Sequence, residues 1–269
     1  MLWWSQRPAA LVILLAVPLC NPAWAACNFD VLKQGRVAAV IDEQTFRLED
    51  GQEVRLAGIV PLGALRRVEQ NAASPSRPDT TALAKLLLDH DVTLRGPTAK
   101  PDRYGRLIAL ASTNGSSNFV QSVLLDEGRA AFSGDIADSE NKDCVSDLLA
   151  REAVARRSQK GFWADTAAIK NTERPGDILP WIGRFVVAEG KIESVREAGG
   201  TVYINFGRRW TRDFAVTISR RIIRRFEAWG IVLKTLESRT VRVRGWVEQR
   251  GGPRVEALGP GQIEVVGDR

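Results

Sequence analysis

Arg208, Arg209 and Arg212 surround Trp210 in a short stretch between two strand-like runs. An aromatic ring among cations suits a single-stranded nucleic acid, because bases stack on the ring while guanidinium groups hold phosphates. A second basic group is Arg220, Arg221, Arg224 and Arg225. It falls on one arc of a candidate helix whose other arc carries Ile222, Ile223, Phe226 and Trp229. That pattern reads as a solvated basic face over a core-facing stripe. Tyr203, Phe206 and Trp246 sit at strand positions and are expected in a barrel core. His90, within Asp89-His90-Asp91, is the only histidine. A histidine-dependent triad and a multi-histidine zinc site are therefore excluded by counting. With 38 Lys and Arg against 32 Asp and Glu, the net charge of +6 gives a mild attraction for polyanions.

The elements that must position these residues fall into two groups. Gly35–Ile41 and Thr45–Leu48 read as strands, and Asp50-Gly51 makes a hairpin turn into a third, Glu53–Ile59. Residues 60–78 read as a loop with Pro61, Pro75 and Pro78. A helix capped by Asp79 or Thr80 runs to Leu88, followed by strands at Val92–Arg95 and Leu107–Ala111. Helices at Phe119–Glu127 and Cys144–Gln159 complete a small barrel with helical cover. Residues 165–182, with Pro175, Gly176 and Pro180, read as a linker.

From 183 to 269 the barrel-like order repeats: strands at Gly183–Val195, Val202–Phe206 and Asp213–Ile218, a helix at Arg220–Trp229, then strands at Val241–Glu248 and Val255–Leu258. A short apolar run, Ile263–Val266, follows. One helix between the third and fourth of five strands is the OB-type order.

The N-terminus reads as an export signal. Arg7 precedes an apolar run from Ala9 to Leu19, and Ala23-Trp24-Ala25 gives a small-x-small cleavage pattern. The expected layout is a signal peptide at 1–25, a first barrel at 26–164, the linker and a second barrel, giving a periplasmic or secreted protein with no later membrane span. Cys20 leaves with the signal. Cys27 and Cys144 remain as a pair for a disulfide in an oxidising compartment.

The run Val40-Ile41-Asp42-Glu43-Gln44-Thr45-Phe46-Arg47-Leu48 leads into Glu53-Val54-Arg55-Leu56-Ala57-Gly58-Ile59 and is joined by Asp102-Arg103-Tyr104-Gly105-Arg106. Over residues 33–164 this resembles the staphylococcal thermonuclease family, and Glu152 with Gly161-Phe162-Trp163 fits as well. The resemblance implies an OB-type barrel and calcium-dependent phosphodiester hydrolysis. It implies further that Arg55 and Arg106 contact phosphate and that Arg103 and Tyr104 contact the nucleotide. It also exposes departures. Asp42 and Thr45 remain from the implied calcium site, but its second aspartate is Gln44, a further ligand is Val60, and the water-handling glutamate is Gly63. Glu43 and Glu69 are the candidate replacement acids.

The expectation is a β-rich α+β protein made of a thermonuclease-like OB barrel with covering helices and a second OB-like five-stranded barrel. It binds nucleic acid or another polyanion in a cleft left more positive by the lost carboxylates, and it needs no cofactor unless the altered site still takes calcium. An active nuclease with rearranged acids and a protein-interaction module of the cell envelope are the alternatives.

Overall fold

The computed structural model of the chain describes residues 27–65, 80–116, 118–136 and 141–267. The expected signal peptide and Glu69 lie outside them.

Alternating apolar residues and the Asp50-Gly51 turn produce β1 (Val31–Val40), β2 (Thr45–Leu48) and β3 (Glu53–Leu56). The third strand is shorter than expected. Ala57-Gly58 breaks it, with Gly58 at φ 73°, and a separate β4 (Ile59–Pro61) follows. A Cβ at Gly58 would also press against Ile136, so glycine is required on both counts. Next come α1 (Leu62–Leu65), α2 (Thr81–Leu87), β5 (Asp91–Arg95), β6 (Leu107–Thr113), α3 (Val120–Asp126), β7 (Ala130–Phe132) and α4 (Lys142–Arg157). The strands close a barrel in the order β1-β2-β3-β6-β5, with β3 and β6 parallel and the other neighbours antiparallel. β4 and β7 form a separate ribbon. Phe46, Leu48, Val54, Leu56 and Leu94 fill the barrel beneath Leu124, Leu125 and Leu148 of the covering helices.

A disulfide joins Cys27 to Cys144 across 117 residues of chain, tying the strand-side N-terminus to the start of α4. Both cysteines are buried.

Residues 165–182, expected as a linker, carry structure of their own. β8 (Ile169–Asn171) pairs in parallel with β9 (Phe185–Lys191), and α5 (Pro175–Ile178) places Ile178 fully inside the second core. β10 (Ser194–Ala198), β11 (Thr201–Asn205) and β12 (Ala215–Ser219) follow, then α6 (Ile223–Ala228), β13 (Thr240–Arg250), β14 (Gly252–Glu256) and β15 (Ile263–Val265). β10–β11 and β11–β12 are antiparallel, β12–β14 is parallel, and β14–β13 and β13–β9 are antiparallel. Only Ile192 and Glu193 separate β9 from β10, so the path returns on itself in the pairing order of the first barrel. The second sheet exceeds the expected five strands: β8 and β15 extend it. Among the described residues, no helix is long and apolar enough to cross a membrane.

The barrel and the second sheet share a core. Val60, Leu65, Ala131, Ala155 and Trp163 pack with Ala168, Phe185 and Val187. Beside that apolar seam lies a network of three arginines and three glutamates. Arg244, fully buried, lies 2.9 Å from either oxygen of the fully buried Glu152 and 3.1 Å from Glu264. Arg242 joins Glu264 at 2.7 Å and also Glu189, while Arg156 joins Glu152 at 3.0 Å. Phe132 completes the set, its amide donating to Glu152 and its carbonyl accepting from Arg244. Arg244 and Glu152 are fully buried and paired, while Glu189 and Glu264 keep an edge in solvent, and the charges balance three to three.

Candidate nucleic-acid interface

Arg55 lies on β3 opposite Thr45 of β2 on one side and Ile108 of β6 on the other. Arg106 precedes Ile108 by two residues, so the strand alternation directs both arginines to one face of the sheet. Their surroundings differ. The Arg106 guanidinium is clasped by Asp102, with Nε and Nη2 at 3.0 and 2.8 Å from Oδ2. The other Asp102 oxygen accepts from the backbone amides of Tyr104 and Arg106 at 2.8 and 3.0 Å. Burial pushes the Asp102 carboxyl up, but the Arg106 guanidinium and those two amides outweigh it and hold the group below its ordinary range. Tyr104, 63% exposed, has the guanidinium carbons of Arg103 and Arg106 over its ring, 4.7 and 4.9 Å from the centroid. Gln52 donates to the carbonyl of Gly105 at 2.9 Å and so moors this loop to the β2–β3 turn.

Arg55 instead lines a cavity of about 580 Å³ between the barrels. Its guanidinium has no hydrogen-bond or ion-pair partner among the described residues. The same cavity is bordered by Asp42, Glu43 and Asp135, so three carboxylates face one guanidinium. The expectation of a more positive cleft is corrected on this point. Asp135 comes from the segment after β7, which no local sequence pattern connects to Arg55.

Gln44 explains much of the local architecture. It is 5% exposed, and its side-chain amide donates at 2.7 Å to the carbonyls of both Leu56 and Ile59. Two carbonyl acceptors fix which end of the amide points inward. Its backbone NH donates to Asp42 Oδ1 at 2.7 Å, which takes up one of the two oxygens of that carboxylate. The amide nitrogen of Gln44 and one oxygen of Asp42 are thus taken up by backbone groups, whereas a calcium ion takes six to eight oxygen ligands. No group of three or more carboxylate, histidine or cysteine side chains suited to a metal occurs among the described residues.

Replacing Gln44 by glutamate tests this directly. Both donors vanish and a buried carboxylate faces two carbonyls, so we expect a loss of about 2–4 kcal/mol in urea unfolding. A loss below about 1 kcal/mol would show that the two carbonyls do not need those donors.

Glu43 holds a position that its place in the sequence did not reveal. Its Oε2 accepts from the backbone amide of Gly63 at 2.9 Å, and a Cβ built on Gly63 would lie 2.6 Å from that oxygen. The carboxylate of Glu43 thus fills the space that a side chain at position 63 would enter.

Residues 54–165 match the family model described as staphylococcal nuclease homologue. That stretch is a staphylococcal nuclease homologue domain. No curated protein matches the chain. The match takes in Arg55, Val60, Gly63 and the Asp102–Arg106 loop, whereas Asp42, Glu43 and Gln44 precede it. A nuclease-like domain fits nucleic-acid binding.

The second sheet carries the remaining candidates. Arg208, Arg209, Trp210 and Arg212 lie exposed on the β11–β12 loop, with Trp210 75% accessible. Arg208 pairs with Glu193 at 2.8 Å, and the backbone amide of Arg209 donates to Asp213. Arg220, Arg221, Arg224 and Arg225 are exposed, while Phe226 is buried in the core. Phe206 is buried as expected, but Trp246 is not: it is 51% exposed and borders the Arg55 cavity. Strand alternation puts Trp246 on the outer face of β13, and the first barrel turns that outer face into a cleft wall.

Proposed function

We propose that the chain is an exported protein that binds single-stranded nucleic acid through its nuclease-like domain without calcium-dependent cutting. Gln44 carries this reading. Its side-chain amide donates to two backbone carbonyls, contacts that an ionised aspartate could not make, while Arg55 has no partner among the described residues and is open to a phosphate. Export is supported by the Cys27–Cys144 disulfide together with the apolar N-terminal run.

The test is fluorescence anisotropy with labelled single-stranded DNA, run beside a cleavage assay over a calcium series. Binding is expected without divalent ions. It should weaken with salt by about 0.7 logarithmic units per phosphate contact for each tenfold rise in concentration. Arg55→Ala should lower affinity about 10-fold or more, the scale of one hydrogen bond to a charged group. Calcium-dependent cutting that disappears in Arg55→Ala or Arg106→Ala would overturn the reading.

One observation favours a second reading, a hydrolase whose acid has moved. Glu43 occupies the space at Gly63 and borders the same cavity as Arg55. Under that reading Glu43→Gln abolishes cutting and leaves binding intact.

A further inference from the structure

The Arg55 cavity is not the property of one barrel. Its floor and one wall come from β3, β4 and Ile108 of the nuclease-like domain, and its far border includes Trp246 of the second sheet. Trp246 lies opposite Phe185 in the β13–β9 ladder, and the two rings meet edge to face, with centroids 5.9 Å apart and planes at 79°. Phe185 is buried in the seam between the barrels. The indole is therefore braced from below by a fixed ring while half its surface stays open to solvent. A braced, open indole costs little conformational entropy when something settles on it.

What could settle there is set by the cavity's chemistry. Asp42, Glu43 and Asp135 put acid on its border and leave Arg55 as the one lining group an anion can meet. Pro61, Ala64, Ile108 and Ile136 make much of the lining apolar, and Arg55, without a partner among the described residues, contributes the cavity's cation. A flat apolar ligand bearing an attached anion satisfies both. A nucleotide in a single strand has that form, whereas a duplex hides its base faces. We infer that Trp246 of the second barrel is a base-stacking platform that completes the nucleic-acid site of the first: a base rests on the indole while a neighbouring phosphate meets Arg55. This rests on the nucleic-acid-binding reading and adds to it a subsite supplied by the other domain. It also gives the fixed juxtaposition of the barrels a purpose, because Trp246 and Arg55 share a cavity only while the seam holds.

The experiment compares two probes on the full mature chain: an oligothymidylate of about 12 nucleotides, inside the range one OB barrel covers, and an abasic strand of the same length. Wild-type protein should bind oligothymidylate more tightly than the abasic strand. Trp246→Ala should lose about 10- to 100-fold on oligothymidylate and stay near wild type on the abasic strand. Trp246→Phe should recover part of the loss, and Arg55→Ala should weaken both probes. If Trp246→Ala fails to fold, the wild-type preference for bases and its reduction in Trp246→Phe decide the question. Equal wild-type affinity for the two probes, or an unchanged Trp246→Ala, overturns the platform and leaves phosphate binding standing. Failure of the wild type to bind either strand overturns both readings.

Discussion

Arg244→Ala is expected to destabilise the protein by about 3–5 kcal/mol, measured as the shift in urea unfolding. The substitution removes one guanidinium but strands another charge. Glu152, also fully buried, would lose its closest cation while still holding the Phe132 amide and Arg156. Glu264 would keep Arg242 and Arg156 as partners. A fully buried carboxylate left with Arg156 as its one remaining cation, and without the two contacts Arg244 made to it, accounts for most of the cost. The control is the exposed Arg250, whose loose contact with Glu248 at 3.8 Å should be worth no more than about 1 kcal/mol. Pairing Arg244→Met with Glu152→Leu should recover much of the loss, because the charges leave together. A shift from Arg244→Ala no larger than that from Arg250→Ala would refute the buried network as a joint between the barrels.

Breaking the Cys27–Cys144 bridge is the second large effect. The crosslink spans 117 residues, and in the chain-entropy description a loop of that order is worth about 4–5 kcal/mol. Native-state relaxation lowers what is observed, so about 2–5 kcal/mol is expected for Cys27→Ser or for the reduced wild type. Thermal melts with and without reductant measure it. The double serine variant serves as the reference, since its melting should be insensitive to reductant. Equal melting of oxidised and reduced wild type would show that β1 and α4 are held together without the bridge.

Much of the first barrel was legible in the chain. Strict alternation in Thr45–Leu48, the Asp50-Gly51 turn and the apolar spacing of the helices all agree with one answer, so local signals suffice. They fail where partners are remote. β4 and β7 are three residues each and exist because they pair with one another. β8 was hidden in a proline-bearing stretch that read as linker, since a short parallel strand needs β9 beside it to form at all.

The candidate site followed the same division. Arg55, Arg103, Tyr104 and Arg106 were found through their motifs, but the Asp102 clasp on Arg106 depends on the folded turn. Alternation in Val241-Arg242-Val243-Arg244 correctly separates two faces of β13. It cannot say that the polar face is covered by another domain, so the buried arginines and the cleft position of Trp246 were both missed. Gln44 was visible as a departure at its position, yet its two carbonyl contacts required the turn at Ala57-Gly58 to bring Leu56 and Ile59 together.

The seam between the barrels has a consequence for how this protein can be handled and inherited. A chain stopped at the end of the nuclease homologue domain would leave Val60, Leu65 and Trp163 facing water, with Glu152 deprived of Arg244. Such a fragment would be sticky and strained instead of a working half. The nuclease-like portion is thus not a transplantable cassette: it and its C-terminal companion must be made, folded and kept as a single article.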